Sequence, residues 1–445
     1  MPDAPKRLAL VTTYYPPDGG GGAQRPHGIA THALACGWAA TVFTREEAKQ
    51  RSNWDPHDPT MAQAKTAETI VRVPVPEGST AWRMVPPAHD GLDPWLGRVV
   101  DAVVAAHGED AFDAVLVTMP PYGMGPVVPA LKAALPDGPP VVLDLRDPWA
   151  FDGALSYRDK KEWRVNRDWM ERVVKAADAV IVNTPEVQRR FAEAFPKLTS
   201  DRLTAVTNGF SLADFDGPRP EAPAGYEPGR FHLVHTGTLH TSALTRTQGL
   251  IGKLRKLRGH RAEPVEVSGR TALHLLRAVA QLKQNNAELY DRLSVVLVGV
   301  DDADTRAMVA ASGVADRVTL TGYQPHDVSV AWVRWAEALF LPLHGLPAGH
   351  RSLIVPGKTY EYLAAGRPIL AALPEGDARD FVERAGYRAV HPTDEAGLAE
   401  RLAELMLAAP VEDTPSKRPS WLNDYDRQRL TERLFAFLDQ VTERP

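Results

Sequence analysis

Short apolar runs alternate with longer stretches of helical periodicity, and they do so twice along the chain. In the first series the runs fall at residues 8–13, 40–44, 70–75, 114–118, 141–145, 179–183 and 203–206, with helical patterns at 23–36, 95–107, 158–177 and 186–195. The second series has runs at 231–235, 293–298, 318–320, 338–341, 369–372 and 389–391. Runs this short, without polar alternation, suit strands buried on both faces. Alternation with helices predicts a parallel sheet covered on both sides, and two series predict two doubly wound α/β domains. The length of 445 residues fits that number, being long for one core. The expected division is a first domain over 1–215, a linker over 216–229 rich in Pro, Gly, Glu and Ala, and a second domain over 230–415. Residues 416–445 then carry an amphipathic helix expected to reach back to the first domain.

Hydrophobic residues make up 44% and charged residues 24%, the balance of a globular chain rather than a disordered one. A net charge of -5 gives no reason to expect a nucleic-acid partner. Cys36 is the only cysteine, so no intramolecular disulfide can form, which fits a reducing compartment. The polar start shows no signal peptide, and no apolar stretch reaches the roughly 18 to 20 residues that span a bilayer. A cytoplasmic location is the expectation. Peripheral membrane contact has one candidate, Trp82-Arg83-Met84-Val85, which could touch a lipid-linked molecule or pack on its own domain. The sequence does not indicate an oligomeric state.

Ligands of doubly wound sheets bind beyond the carboxyl ends of the strands. In the first half that edge gathers three loops: Tyr14 to Gly22 with its four glycines, Met119-Pro120-Pro121-Tyr122-Gly123, and Arg146-Asp147-Pro148-Trp149. The glycine loop has neither the Walker lysine nor dinucleotide spacing. Arg25, just inside the following helix, offers a fork for phosphate or carboxylate. In the second half, Pro356 and Gly357 open a short helix, Lys358 stands in its first turn, and Glu361 follows three residues later on the same face. A cation at a helix start is unfavourable unless an anion binds nearby. A diphosphate near Lys358 and sugar hydroxyls near Glu361 would account for that pattern, and so would an ordinary amphipathic helix with a wet polar face.

Three other features bear on ligand and metal binding. Residues 241–270 carry Arg246, Lys253, Arg255, Lys256, Arg258, Arg261 and Arg270 against Glu263 and Glu266, which reads as a basic insertion: a solvated loop or a clamp on phosphate. Asp302-Ala303-Asp304 has the Asp-x-Asp form of a manganese site, but its place at a helix start favours a cap. His27 and His32 do not have helical ligand spacing. No metal site is expected.

Four motifs then occur in a recognisable order: Tyr14-Tyr15-Pro16-Pro17 with Gly19 to Ala23, Asn208-Gly209-Phe210, Thr236-Gly237-Thr238-Leu239, and Lys358-Thr359-Tyr360-Glu361-Tyr362-Leu363-Ala364-Ala365-Gly366-Arg367-Pro368. With these the chain resembles the bacterial group-1 glycosyltransferases of the GT-B fold, the large family 4 of mostly retaining enzymes. The resemblance implies two facing Rossmann-like domains with a cleft between them. It implies no tightly bound cofactor, a nucleotide-diphosphate sugar as donor substrate, and a glycosyl acceptor met from the first domain. Glu361 would bond the ribose, and Gly357 and Lys358 would face the phosphates. Gly237 and Thr238 would approach from the other side, with Gly21 and Gly22 at the donor from the first domain. Tyr323 and Gln324 would contact the base. Asp147, His344 and Arg25 are the candidates for the chemistry, Asp147 as a sugar or acceptor contact and as the base should the enzyme invert. Two departures stand out. Many relatives carry a second glutamate where this chain has Leu353, and relatives tend to carry an arginine and a lysine soon after the glycine matching Gly237, which are missing here. Lys358, with Arg351 and Arg246 as alternatives, is expected to take their place. A nucleotide-sugar 2-epimerase and a non-catalytic nucleotide-sugar-binding partner remain the competing readings.

Overall fold

The computed structural model describes residues 4–19, 21–47, 67–84, 91–245, 258–408 and 418–443. The first sheet is built from β1 (Lys6–Val11), β2 (Trp38–Arg45), β3 (Thr69–Val73), β4 (Ala114–Met119), β5 (Val141–Leu145), β6 (Ala179–Val182) and β7 (Leu203–Ala205). Their order is β3-β2-β1-β4-β5-β6-β7, and every pairing is parallel. All residues of β4, β5 and β6 are buried, as continuous apolar runs require when helices cover both faces. Chain order reverses between β1 and β4, which opens a crevice at their carboxyl ends.

The second sheet repeats the design with β8 (Phe231–Thr236), β9 (Leu293–Val298), β10 (Val318–Gly322), β11 (Ala338–Pro342), β12 (Ile369–Ala372) and β13 (Ala389–Val390). Its order is β10-β9-β8-β11-β12-β13, again wholly parallel. The reversal here lies between β8 and β11. Apolar clusters line both faces: Leu275, Leu276 and Val279 pack with Leu233 and Val295 on one, and Trp332, Leu363 and Val382 with Val234 and Leu339 on the other.

By compactness the chain divides into Met1–Asn208 with Arg427–Pro445, and Gly209–Asp426. The stretch 216–229, read from composition as a linker, therefore lies inside the second unit. Trp335 Nε1 donates to the Pro220 carbonyl at 2.8 Å, Arg334 to Gly217 at 2.9 Å, and the Tyr226 ring stacks on His232 at 4.4 Å. A Pro- and Gly-rich composition records the missing regular structure but not these anchors. The terminal helix Arg427–Thr442 belongs to the first unit, where Leu430, Leu434, Phe435 and Leu438 share a core with Leu8, Leu10, Ile29 and Trp38.

Candidate functional site

At the carboxyl edge of the first sheet, side chains from distant loops are locked together. Arg25, in the helix Gly21–His32, donates from Nε and Nη2 to the two oxygens of Asp144 at 2.9 and 2.7 Å, and from Nη1 to the Thr207 carbonyl at 3.0 Å. Thr118 Oγ1 adds a third hydrogen bond to Asp144, which is fully buried. The fork that the sequence offers to a phosphate is thus engaged by a carboxylate 119 positions away. Arg25 joins β5 to the turn after β7, while Thr118 ties β4 to the same carboxylate, which is a structural task.

Arg146 binds the neighbouring loops. Its guanidinium donates to the carbonyls of Gly22 and Pro120, while its own carbonyl accepts from Asn183 Nδ2 at 2.7 Å. A Cβ on Gly22 would stand 3.0 Å from the Tyr14 ring, so the glycine admits that ring. A Cβ on Gly21 would meet nothing within 4 Å, so that position is open. Asp147 follows Arg146, half-buried, and its charge acts on the Arg146 guanidinium. The Trp149 ring lies parallel to that of Tyr122, with centroids 4.9 Å apart, beneath the same loop.

The second sheet's edge has a different character. Three strand ends turn through glycines in the left-handed region: Gly237 (φ 86°), Gly299 (φ 89°) and Gly322 (φ 68°). A Cβ on Gly299 would stand 3.3 Å from Gly237 Cα, so these turns need bare backbone. Thr236 is held from behind: its N–H donates to Tyr362 Oη at 2.8 Å. Tyr362 lies on the helix Lys358–Ala365, whose start carries no side-chain cap. Lys358 Nζ sits 3.1 Å from His235 Nε2. Burial, then the Arg270 cation, pushes the Lys358 ammonium down to about 7, with Glu361 acting the other way. His240 and His344 have ring centroids 5.6 Å apart and are pushed down to about 2 and about 3, chiefly by burial and then by Arg270. Basic and imidazole groups from four segments therefore act on one another here: Lys358 meets His235 and borders Gly237, and the charge of Arg270 bears on Lys358, His240 and His344.

Among the remaining candidates, Thr238 is exposed directly after Gly237 and Tyr323 is exposed after Gly322, while Gln324 donates to the Thr321 carbonyl at 3.0 Å. Gly357 is exposed at the start of its helix. Arg351, an alternative diphosphate cation, is drawn to Asp380 and Asp377 on the helix Asp377–Arg384. Arg246, Lys253, Arg255 and Lys256 lie outside the described residues. Asp302 accepts from Thr305 N at 2.9 Å and caps the helix Ala303–Ala311, and among the described residues no acidic, His or Cys cluster is placed for a metal ion. Sequence reasoning passed over His235, counted simply as the end of a strand, and Arg270, counted simply as one charge of a basic stretch. An imidazole in a buried strand, two residues before Gly237, was the available signal.

Residues 20–209 match the family described as "Glycosyl transferase 4-like domain", and residues 269–407 match "Glycosyl transferases group 1". The chain belongs to the group-1 glycosyltransferases. Among curated proteins, this glycosyltransferase is similar to "D-inositol 3-phosphate glycosyltransferase" from Arthrobacter sp. (strain FB24), 23% identical over 230 residues. That match covers 51% of this chain and 46% of the relative, so it spans about half of each. Among solved structures, sucrose-phosphate synthase from Thermosynechococcus elongatus aligns with TM-score 0.58 at 15% identity, covering 98% of this chain and 97% of that one. Alpha,alpha-trehalose 6-phosphate synthase from Burkholderia multivorans gives TM-score 0.60 at 13% identity, over 99% and 97%. A putative UDP-N-acetylglucosamine 2-epimerase from Listeria monocytogenes gives 0.54 at 12%, over 97% and 95%. At these identities the likeness establishes the fold, which is GT-B.

Proposed function

We propose that this group-1 glycosyltransferase moves a sugar from a nucleotide-diphosphate donor to an acceptor hydroxyl, without a metal ion and with retention at the anomeric carbon. The observation that carries the reading is the Lys358 ammonium beside the left-handed Gly237 turn, at the strand reversal of the second sheet, with Arg270 close by. Bare backbone, an uncapped helix start and two cations suit a diphosphate, whose charge grows as the sugar departs. In this reading Glu361 accepts from the ribose hydroxyls, Thr238 and Gly357 border the phosphates, and Tyr323 and Gln324 border the base. His344 borders the sugar, where Leu353 stands in place of the relatives' second glutamate. Asp147 is the proposed contact for sugar or acceptor.

The test is incubation of the full chain with a panel of nucleotide sugars, with and without sugar and polyol acceptors, scored for free nucleoside diphosphate and for the sugar product. Acceptor-dependent release of the diphosphate, unaffected by EDTA, is the expected result. A donor epimer without transfer would replace the reading with an isomerase, the activity named for the Listeria monocytogenes structure. Binding without turnover would replace it with a silent partner.

A further inference from the structure

His235 is the one imidazole at the carboxyl end of β8 and is 1% exposed, and its two ring nitrogens face unlike partners. Nδ1 lies 3.0 Å from the Phe340 carbonyl on β11. A carbonyl can only accept, so Nδ1 carries the hydrogen and Nε2 presents a lone pair in the neutral ring. Lys358 Nζ, 3.1 Å from Nε2, is therefore the donor in that contact. The bridge runs from β11 through β8 to the helix Lys358–Ala365 and ends beside Gly237, where a Cβ would stand 3.2 Å from Nζ.

We propose that His235 is a positioning residue, whose neutral Nε2 holds the Lys358 ammonium against the Gly237 turn and so couples diphosphate binding to that hydrogen bond. The proposal rests on the donor-site reading above. Among the described residues, the groups that bear on it are Arg270 from the turn Val267–Arg270, His240 beyond β8, Glu361 from the same helix as Lys358, and the Gly237 carbonyl facing the imidazole. Burial and the Lys358 charge keep His235 neutral, well below its usual range, although the two carbonyls favour a proton on the ring. Lys358 itself is held at about 7. A diphosphate arriving at higher pH therefore draws a proton onto Lys358, and His235 determines where that charge stands.

Titration calorimetry with ADP, GDP and UDP, between about pH 6 and about pH 9, tests this in the full chain. The unaltered protein is expected to bind best below about pH 7 and to take up a proton on binding above it. His235→Leu should weaken binding at the acid end by about tenfold, the worth of one hydrogen bond to a charged group, and should move the fall in affinity to lower pH. His235→Gln, whose amide oxygen can accept the same bond, should recover most of the loss. Equal affinity and an equal pH profile in His235→Leu overturn the inference and leave the donor reading standing. A loss that His235→Gln does not recover also overturns it, since a space-filling role would behave that way. Failure of the unaltered chain to bind any of the three overturns the donor reading and the inference together.

Discussion

At the scale of single residues, Glu361 and His344 test different halves of the second unit's edge. Glu361 lies one turn from Lys358 on the same helix, and its charge favours the Lys358 ammonium. If its carboxylate accepts from the ribose hydroxyls, Glu361→Ala should weaken nucleoside diphosphate binding by about 1.5 to 3 kcal/mol; fluorescence or calorimetric titration that finds the affinity unchanged removes that role. His344 bears on stability instead. Its imidazole titrates at about 3 in the folded chain against 6.5 when unfolded, so between those values the unfolded chain binds more protons. Stability then falls as pH is lowered through that window, and the contribution is fully lost below about pH 3. His240 acts in the same direction. His344→Gln should therefore flatten the dependence of Tm on pH across the acid limb, and an unchanged slope would show that His344 does not titrate in this way. Lys358 has its own window: at about 7 folded against 10.5 unfolded, it makes stability rise with pH between those values. The ammonium form is thus kept at neutral pH at the expense of stability, which is expected of a group retained to meet an anion.

At the scale of elements, the three glycines that end β8, β9 and β10 let backbone approach backbone where side chains would collide. Gly237→Ala combines a left-handed backbone, worth about 1 to 2 kcal/mol for a residue with a Cβ, with crowding of Lys358 Nζ at 3.2 Å. A lowered Tm together with weakened nucleoside diphosphate binding is the expected outcome. A lower Tm with full binding would separate the turn from the site. Most of these elements were legible beforehand, because apolar runs such as 141–145 and 293–298 read as strands from composition alone and reappear as β5 and β9 with the same bounds. The helix Lys358–Ala365 was legible from its end signals, Pro356 and Gly357 before it and Gly366, at φ 62°, ending it. What stayed hidden depends on contacts far apart in sequence. No local pattern reveals that Arg25 meets Asp144, or that Lys358 meets an imidazole 123 positions earlier. Charge counting likewise could not tell that Arg351 is drawn to Asp380 whereas the charge of Arg270 bears on His240, His344 and Lys358.

At the scale of the whole molecule, the chain leaves the first unit after Asn208 and re-enters it at Arg427. Asp426, the last residue of the second unit, bridges to Phe210 near that unit's start, and its carboxylate accepts from Leu212 N at 2.9 Å. The returning helix Arg427–Thr442 completes the first unit's core. Phe435 sits 5.6 Å from the Trp38 ring, and Lys6 Nζ donates to Asp439 at 2.6 Å. Leu430, Leu434, Phe435 and Leu438 are all buried there, and each such side chain contributes about 1.5 to 3 kcal/mol. Their sum approaches the whole stability of a typical domain, about 5 to 15 kcal/mol. A chain ending at Asp426 should therefore lose the first unit selectively. Limited proteolysis read by mass spectrometry is expected to show early cleavage in the strands and helices between residues 4 and 208 while the six strands of the second sheet stay protected, because the second unit keeps every strand of its own sheet. Equal protection of both units after the truncation would mean that β1, β2 and the helix Gly21–His32 close their core without it. Simultaneous loss of both would mean that the second unit does not stand alone.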